Sequence, residues 1–435
     1  MARLDRSAIR ACAVLLGVCA PALAAALDAD LSVDYTGEYS TNTALTATDE
    51  IDEWVHLPGA DLSLNQSGAA LELDAAYRFE RRIYEKDLFD NESAVRGTSE
   101  AIWHALPERL DFRVRNTRAE STIRARQPNT EVNRQTVSVT EGGPTLRLRP
   151  QTNAELQLEY LYTDIAVEET ETDSERQTGA VRYIVDLSAT RTVTLEGTWT
   201  DVDFDNPLAP DLEATIGMVM LDQAGRNISY TVGAGYNRTK RELGRDTVDG
   251  AIFDGSIEWN ARPATSFELT ASREIRDQSS SLLTGGGGFG DEIDEDTDIN
   301  EVFVETRGMI TWNQRLGANE LSISALGSQE DYEDVTRDSE RVAGRLSLTR
   351  ALNPRTELSA SIEVGTREFT DEDDEFDEIR GDLELRRRMS RRFSLAVGAR
   401  YEERQSDGIA DTSYDEWVGR IVLRYSLLGA TGPRR

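Results

Sequence analysis

"NAELQLEYLYTD", residues 153–164, alternates without a break. Ala154, Leu156, Leu158, Tyr160 and Tyr162 fall on one side of an extended chain, and Glu155, Gln157 and Glu159 on the other. Side chains along a strand point to opposite faces with a period of two, so this is a strand with one apolar and one polar face. A soluble protein turns such an apolar face inward against a second layer, whereas a membrane barrel turns it outward to lipid. The neighbouring sequence decides between the two.

The same pattern recurs along the chain. "AALELDAAYRF" sets Leu71, Leu73, Ala75, Tyr77 and Phe79 against Glu72, Asp74 and Arg78. "NISYTVGAGY", "RRFSLAVGARYEE" and "DEWVGRIVLRYSL" repeat it, and no stretch carries a hydrophobic period near 3.6. The chain therefore reads as all-β. Its connections alternate as well. Short turns stand at "NQSG", "LPER", "RPQTN", "SATR", "LDQAGR", "NARPAT", "NQRLGAN", "ALNPRT" and "RMSRR". Between them lie longer acidic segments such as "TATDEIDE", "EETETDSE", "SSSLLTGGGGFGDEIDEDTDIN", "QEDYEDVTRDSE" and "TDEDDEFDE". Short, comparatively basic turns at one end and long acidic loops at the other are the layout of an outer-membrane barrel. This predicts an up-and-down antiparallel transmembrane β-barrel of about 20 strands, 16 being the lower bound, with both termini periplasmic. "EVNRQTVSVTEGGPTLRLRP" is open to two readings, one long strand or a strand with a bulge at its glycines.

Composition bounds the function. The 435 residues carry 48 basic and 80 acidic side chains, a net charge of −32, and the mean hydropathy is −0.50. Such acidity argues against nucleic acid as a partner. At the N-terminus, "MARLDRSAIR" is basic, "ACAVLLGVCA" apolar, and Ala22-Leu23-Ala24 a small-residue cleavage pattern. That is the three-part layout of a secretory signal peptide over residues 1–24, with cleavage after Ala26 fitting equally. Removing residues 1–24 leaves 45 basic and 79 acidic residues, a net charge of −34, and no cysteine, since Cys12 and Cys19 both lie in the leader. The barrel is expected over 25–428, with 429–435 as a tail.

Closing the strands into a cylinder assigns the faces. The lumen would receive Arg78, Arg113, Arg115, Glu155, Glu159, Arg182, Glu305, Arg307, Arg345, Arg380, Asp382, Arg400 and Arg420. Unpaired charges cannot be buried cheaply, so this face needs water, mutual pairing, or both. Trp103, Tyr160, Tyr162, Trp199, Trp259, Trp312 and Trp417 fall on the apolar face, where rings with a polar tip suit the headgroup level. Outer-membrane lipid, lipopolysaccharide and the barrel-insertion machinery are the expected partners.

Little in the sequence signals chemistry. His56 and His104 are the only histidines, and no G-x-S-x-G elbow or phosphate-binding glycine loop is present. Asp294, Asp296 and Asp298 mimic the start of a calcium loop, but the required glycine and glutamate do not follow. No cofactor, metal or catalytic residue is expected.

The opening "LDADLSVDYTGEYSTNTALTATDEIDEWVHLPGADLSL" resembles proteobacterial outer-membrane barrels associated with exopolysaccharide export and PEP-CTERM sorting. A strand, an Asn-containing turn and a second strand entered through Pro58 carry the resemblance, and repeated hairpins continue it across the mature chain. It implies an accessory barrel for polysaccharide or surface-protein export, with polysaccharide-export components as partners. One feature departs from the usual barrel end: Tyr425 is followed by "SLLGATGPRR" rather than closing the chain. Three functions fit the residues: a passive pore or export conduit, a structural or surface-binding barrel with a closed lumen, and an outer-membrane hydrolase.

Overall fold

Alternating sequence with a short turn at every second junction can satisfy its backbone only by pairing each strand with its neighbours, and in lipid the last strand must also pair with the first. The computed structural model describes residues 27–124, 126–169, 172–207, 209–242, 245–281, 301–333, 338–370, 374–408 and 412–428. The leader expected over 1–24, the aspartates at 294–298 and the tail expected over 429–435 lie outside the described residues.

The first half of the wall is β1 (Asp28–Ser40), β2 (Glu53–Ser67), β3 (Leu71–Tyr84), β4 (Glu92–Leu106), β5 (Leu110–Thr122), β6 (Arg134–Gln151), β7 (Ala154–Val167), β8 (Ser174–Ser188), β9 (Arg191–Phe204) and β10 (Leu212–Ala224). The second half is β11 (Ile228–Arg241), β12 (Val248–Arg262), β13 (Thr265–Asp277), β14 (Val302–Leu316), β15 (Asn319–Tyr332), β16 (Ser339–Asn353), β17 (Thr356–Phe369), β18 (Asp374–Arg388), β19 (Phe393–Asp407) and β20 (Tyr414–Leu428). Every strand runs antiparallel to the next, and β20 pairs with β1 from Ser40↔Val418 to Leu31↔Leu428. The result is a closed barrel of 20 strands.

All nine short turns fall at one end of this barrel. "EVNRQTVSVTEGGPTLRLRP" is mostly one 18-residue strand, β6, entered through a 3₁₀ turn at Glu131–Asn133. Several acidic stretches that read as loop continue the strands instead: Gln329 to Tyr332 belong to β15, and Asp374 to Glu378 to β18. Strands of 13 to 18 residues exceed the roughly 9–11 needed to cross a bilayer, so their charged ends stand above it as a rim. One helical turn, α1 (Gln278–Ser281), follows β13.

The two faces separate by solvent contact. Leu158, Tyr160 and Tyr162 of β7 are 37–43% exposed on the outside, whereas Thr163 and Ile165 on the opposite face are 5% and 1% exposed. Outward rings stack in cross-strand pairs, Trp103 on Phe112 at 5.5 Å and Trp259 on Phe267 at 5.2 Å toward the short-turn end, and Tyr401 beside Trp417 at 4.7 Å toward the other. Such pairs add about 0.5–1.5 kcal/mol each beyond the area they cover.

Gly97 in β4 is a position where only glycine fits. Its φ is +147°, and a Cβ there would lie 2.1 Å from the Ala76 carbonyl oxygen and 2.7 Å from Tyr77 Cα. We expect Gly97→Val to destabilise the barrel by about 3 kcal/mol or more. Heat-modifiable gel mobility would read this as a lower temperature for loss of the fast-migrating form, and an unchanged temperature would refute it.

Candidate functional site

Each of the charged residues assigned to the lumen by alternation stands on the inward face. Arg78 binds Asp34 at 2.8 Å, Glu80 at 2.8 Å and Asp61 at 3.3 Å. Arg182 bridges Glu159 at 3.2 Å and Glu196 at 3.1 Å, and Glu155 takes Arg149 at 3.2 Å. Arg113 faces Glu141 at 3.5 Å, and Arg115 stands opposite Glu100 in register. Glu305 pairs with Arg276, and Arg307 follows it two residues on along the same face. Arg345 meets Glu363 at 3.5 Å, Arg380 meets Glu402 at 3.1 Å, and Arg400 meets Glu416 at 3.1 Å. Arg420 reaches Glu384 at 3.2 Å, and Asp382 stands opposite Arg400 in register. Of the seven aromatic residues, Trp103, Tyr160, Tyr162, Trp199, Trp259 and Trp417 are 40–54% exposed on the outside. Trp312 shares the outward column of Ile310 and pairs in register with Phe267.

Alternation alone does not show that two hairpins leave the wall. The β4–β5 ladder stops at Gly97↔Arg118, although β3–β4 continues to Arg82↔Glu92 and β5–β6 to Thr122↔Arg134. Above the split, the face of β5–β6 that would meet lipid lies instead against the inner face of β3. Glu120 sits 2.7 Å from Arg82 and 3.1 Å from Arg96, and Glu131 is 3.3 Å from Arg82 and accepts the Tyr84 hydroxyl at 2.8 Å. From the loop of this hairpin, Arg126 lies over the Phe369 ring of β17, 4.5 Å from its centroid.

The second split mirrors the first with different chemistry. The β12–β13 ladder stops at Phe253↔Arg273, while β11–β12 runs on to Thr239↔Val248 and β13–β14 to Asp277↔Val302. The β13–β14 tip bends behind β12, so its outward residues Ile275 and Val302 pack on Val202, Phe204, Leu212 and Val248 of the inner wall. Asn237 Nδ2 donates to the Ile275 carbonyl at 3.2 Å. Beyond this apolar layer, Arg176 of β8 pairs with Asp277 and donates to Ser279 Oγ at 2.7 Å. Arg245 clamps Glu301 at 2.8 Å. The inner face is therefore not uniformly polar; Val137, Val139, Ile165 and Val167 form a further inward apolar cluster.

Between the first hairpin and the β16–β20 wall lies a chamber of about 940 Å³. Eleven arginines and eleven carboxylates line it, with no lysine. In a chain of net charge −32 that balance is local. The lining runs in linked rows, such as Arg380–Glu402, which also accepts the Tyr414 hydroxyl at 2.7 Å. Ion pairs that keep water on one side fix side-chain positions while leaving their outer hydrogen-bonding capacity to solute.

His104, also inward, lies near the short-turn mouth. Its Nδ1 is 2.7 Å from Asp111 and its Nε2 3.2 Å from Glu72, and Asp111 also binds Arg147. Both ring nitrogens are thus occupied by carboxylates. Among the described residues no group of three or more His, Cys, Asp or Glu side chains is placed to hold a metal ion.

A closed antiparallel barrel with an outward apolar surface, aromatic pairs toward both ends and a charged interior defines an integral outer-membrane β-barrel. Among solved structures, the chain is similar to the siderophore receptor PirA from Pseudomonas aeruginosa, at 10% identity and a TM-score of 0.50, covering 92% of this chain and 80% of that one. It also matches OccK2 (OpdF) of the same organism, at 10% identity and a TM-score of 0.42 over 92% and 99% of the two chains. OmpT, an outer membrane protein of Vibrio cholerae, matches at 11% identity and a TM-score of 0.38 over 92% and 99%. No protein-family model matches the sequence, and no curated protein does either.

Proposed function

We propose that this barrel is a passive pore for small hydrophilic solutes. The observation that carries the reading is the chamber itself: a water-accessible space walled by matched arginines and carboxylates and narrowed, among the described residues, by hairpins of the wall. Balanced walls offer hydrogen bonds to neutral polar molecules without a strong barrier to either sign of ion. Short saccharides are cargo of this kind, which connects the pore to the polysaccharide export implied by the N-terminal resemblance. Two inward hairpins suit short saccharides better than a polymer.

The test is electrical and osmotic. Purified protein in planar bilayers should give discrete current steps with a potassium-to-chloride permeability ratio of about 1–2, and proteoliposomes should swell in mono- and disaccharides. A silent bilayer together with unswollen liposomes would sink the pore. This reading makes the chain a non-enzyme: among the described residues His104 meets only Asp111 and Glu72, with no hydroxyl nucleophile on either ring nitrogen. We expect His104→Ala to leave conductance in place and to change no lipase or protease activity. A hydrolysis rate that disappears with His104 would reverse that conclusion.

A further inference from the structure

The two splits in the wall are closed differently. Apolar side chains of Ile275 and Val302 seal the one between β12 and β13. At the other, the groups beside the gap are charged, and at its foot stands Arg118, the last β5 residue paired with β4.

Arg118 shares the outward column of Phe112 and Val114, which are 38% and 39% exposed to the lipid side. Counted from the short turn that opens each strand, it stands at the height of Phe79, Tyr162 and Tyr236, the outer aromatic level. Its Nε is enclosed without a hydrogen-bond partner. Among the described residues its guanidinium makes no hydrogen bond or ion pair, and the nearest acid along β5, Glu120, is held by Arg82 and Arg96.

The surroundings are polar where lipid tails would demand apolar groups. Tyr77 Oη is 3.0 Å from Ser99 Oγ and donates to Asn116 Oδ1 at 2.8 Å, and Asn116 Nδ2 donates to Thr140 Oγ1 at 2.9 Å. Ser138, across from Arg118 in register, accepts from Asn116 at 3.4 Å and donates to no described group. A guanidinium rooted in this column with no described protein partner is satisfied by water or by an anion from the membrane side, and its planar fork matches a phosphate bidentately.

We propose that the foot of the β4–β5 split binds a phosphate of an outer-leaflet glycolipid, with Arg118 as the fork and the Ser138 hydroxyl as a second donor. The headgroup sits in the notch that the inward hairpin leaves, and its acyl chains run down the outward face of β3–β6. The site lies outside the lumen and does not depend on solute passage.

Native mass spectrometry of the full barrel in detergent tests this, using lipid A with its phosphates, the same lipid dephosphorylated, and inorganic phosphate. Wild type should retain phosphorylated lipid A and bind the dephosphorylated form at least about tenfold more weakly. Arg118→Gln should lose retention by a similar factor and Arg118→Lys should keep part of it. Arg81→Gln, at an exposed outward arginine two strands away, should change it by less than about twofold. Equal binding of both lipid forms to wild type overturns the proposal even where Arg118→Gln fails to fold. Unchanged retention in a folded Arg118→Gln also overturns it. Complete displacement of the lipid by millimolar inorganic phosphate would assign the site to a free anion instead.

Discussion

Asp277→Ala should unseat the β13–β14 hairpin and raise single-channel conductance at least about twofold. The carboxylate and Arg176 face each other with side chains only 12% and 8% exposed, and Asp277 also accepts from Ser279 Oγ at 2.6 Å and from the Ser280 amide at 3.1 Å. Removing one partner of an enclosed pair leaves the other charged and unsolvated, a penalty of about 3–5 kcal/mol. In the docked hairpin Arg176 has no other carboxylate among its described partners; undocking returns it to water. The equilibrium should therefore shift by a factor of about 10² or more toward the undocked tip. The apolar layer of Val302 against Val202 and Leu212 opposes this, so conductance should fluctuate between two levels rather than rise uniformly.

A double variant separates the latch from general damage. Replacing both partners with apolar residues, Arg176→Met with Asp277→Leu, removes the buried charge and should return conductance toward wild type, because apolar replacement of a whole buried pair is often neutral. Limited proteolysis gives an independent readout: the β13–β14 connection should be cut faster in Asp277→Ala than in the double variant. Wild-type conductance and wild-type cleavage in Asp277→Ala would show that the pair does not hold the hairpin.

Alternation made the barrel legible because each strand repeats the same physical choice between lipid and water. Leu158 and Tyr160 had to share a face, and Glu155 and Glu159 the other, whatever their neighbours did. The closure of β20 on β1 followed from the cost of an unpaired edge in lipid. The inward hairpins were hidden by the same rule. Period two places Glu120 on the lipid face with Phe112 and Val114, yet it meets Arg82 inside, because the β5–β6 tip is displaced as a body behind β3. A trace was present. The outward column of β5 runs Phe112, Val114, Asn116, Arg118, Glu120, turning polar halfway up, and that of β6 turns from Leu148 and Leu146 to Thr140, Ser138 and Thr136. A lipid-facing column that turns polar below the rim marks a strand leaving the wall. The β13–β14 trace was fainter: its outward columns turn polar only at Arg273 and Thr306, and beyond them Ile275 and Val302 are as suited to lipid as to an apolar inner layer. Which acid pairs with Arg176 was unreadable, since Asp277 lies 101 residues away on a strand that does not neighbour β8 in the wall.

The sign of the chamber can be tested at one residue. Arg78 donates to both Asp34 oxygens, at 2.8 and 2.9 Å, to Glu80 at 2.8 and 3.0 Å, and to Asp61 at 3.3 Å. Arg424 approaches the same acids from β20, 2.9 Å from Asp61 and 3.9 Å from Asp34. In Arg78→Ala, Arg424 is left to face Asp34 and Asp61 while Glu80 keeps Arg96 at 3.2 Å, and the side chain of Asp34 is only 1% exposed. Part of the resulting field is relieved by drawing cations into the chamber. The potassium-to-chloride permeability ratio should rise from near unity to about 5 in 0.1 M salt and fall back in 1 M salt, where the screening length drops to about 3 Å. The same change should lower the unfolding temperature, as an enclosed carboxylate loses its main partner at a penalty of about 3 kcal/mol. Arg78→Lys restores the charge but not the fork that spans Asp34 and Glu80, so selectivity should recover further than stability. A reversal potential unmoved by Arg78→Ala would place the ion path away from β1–β3, and the pairing there would then serve the wall alone.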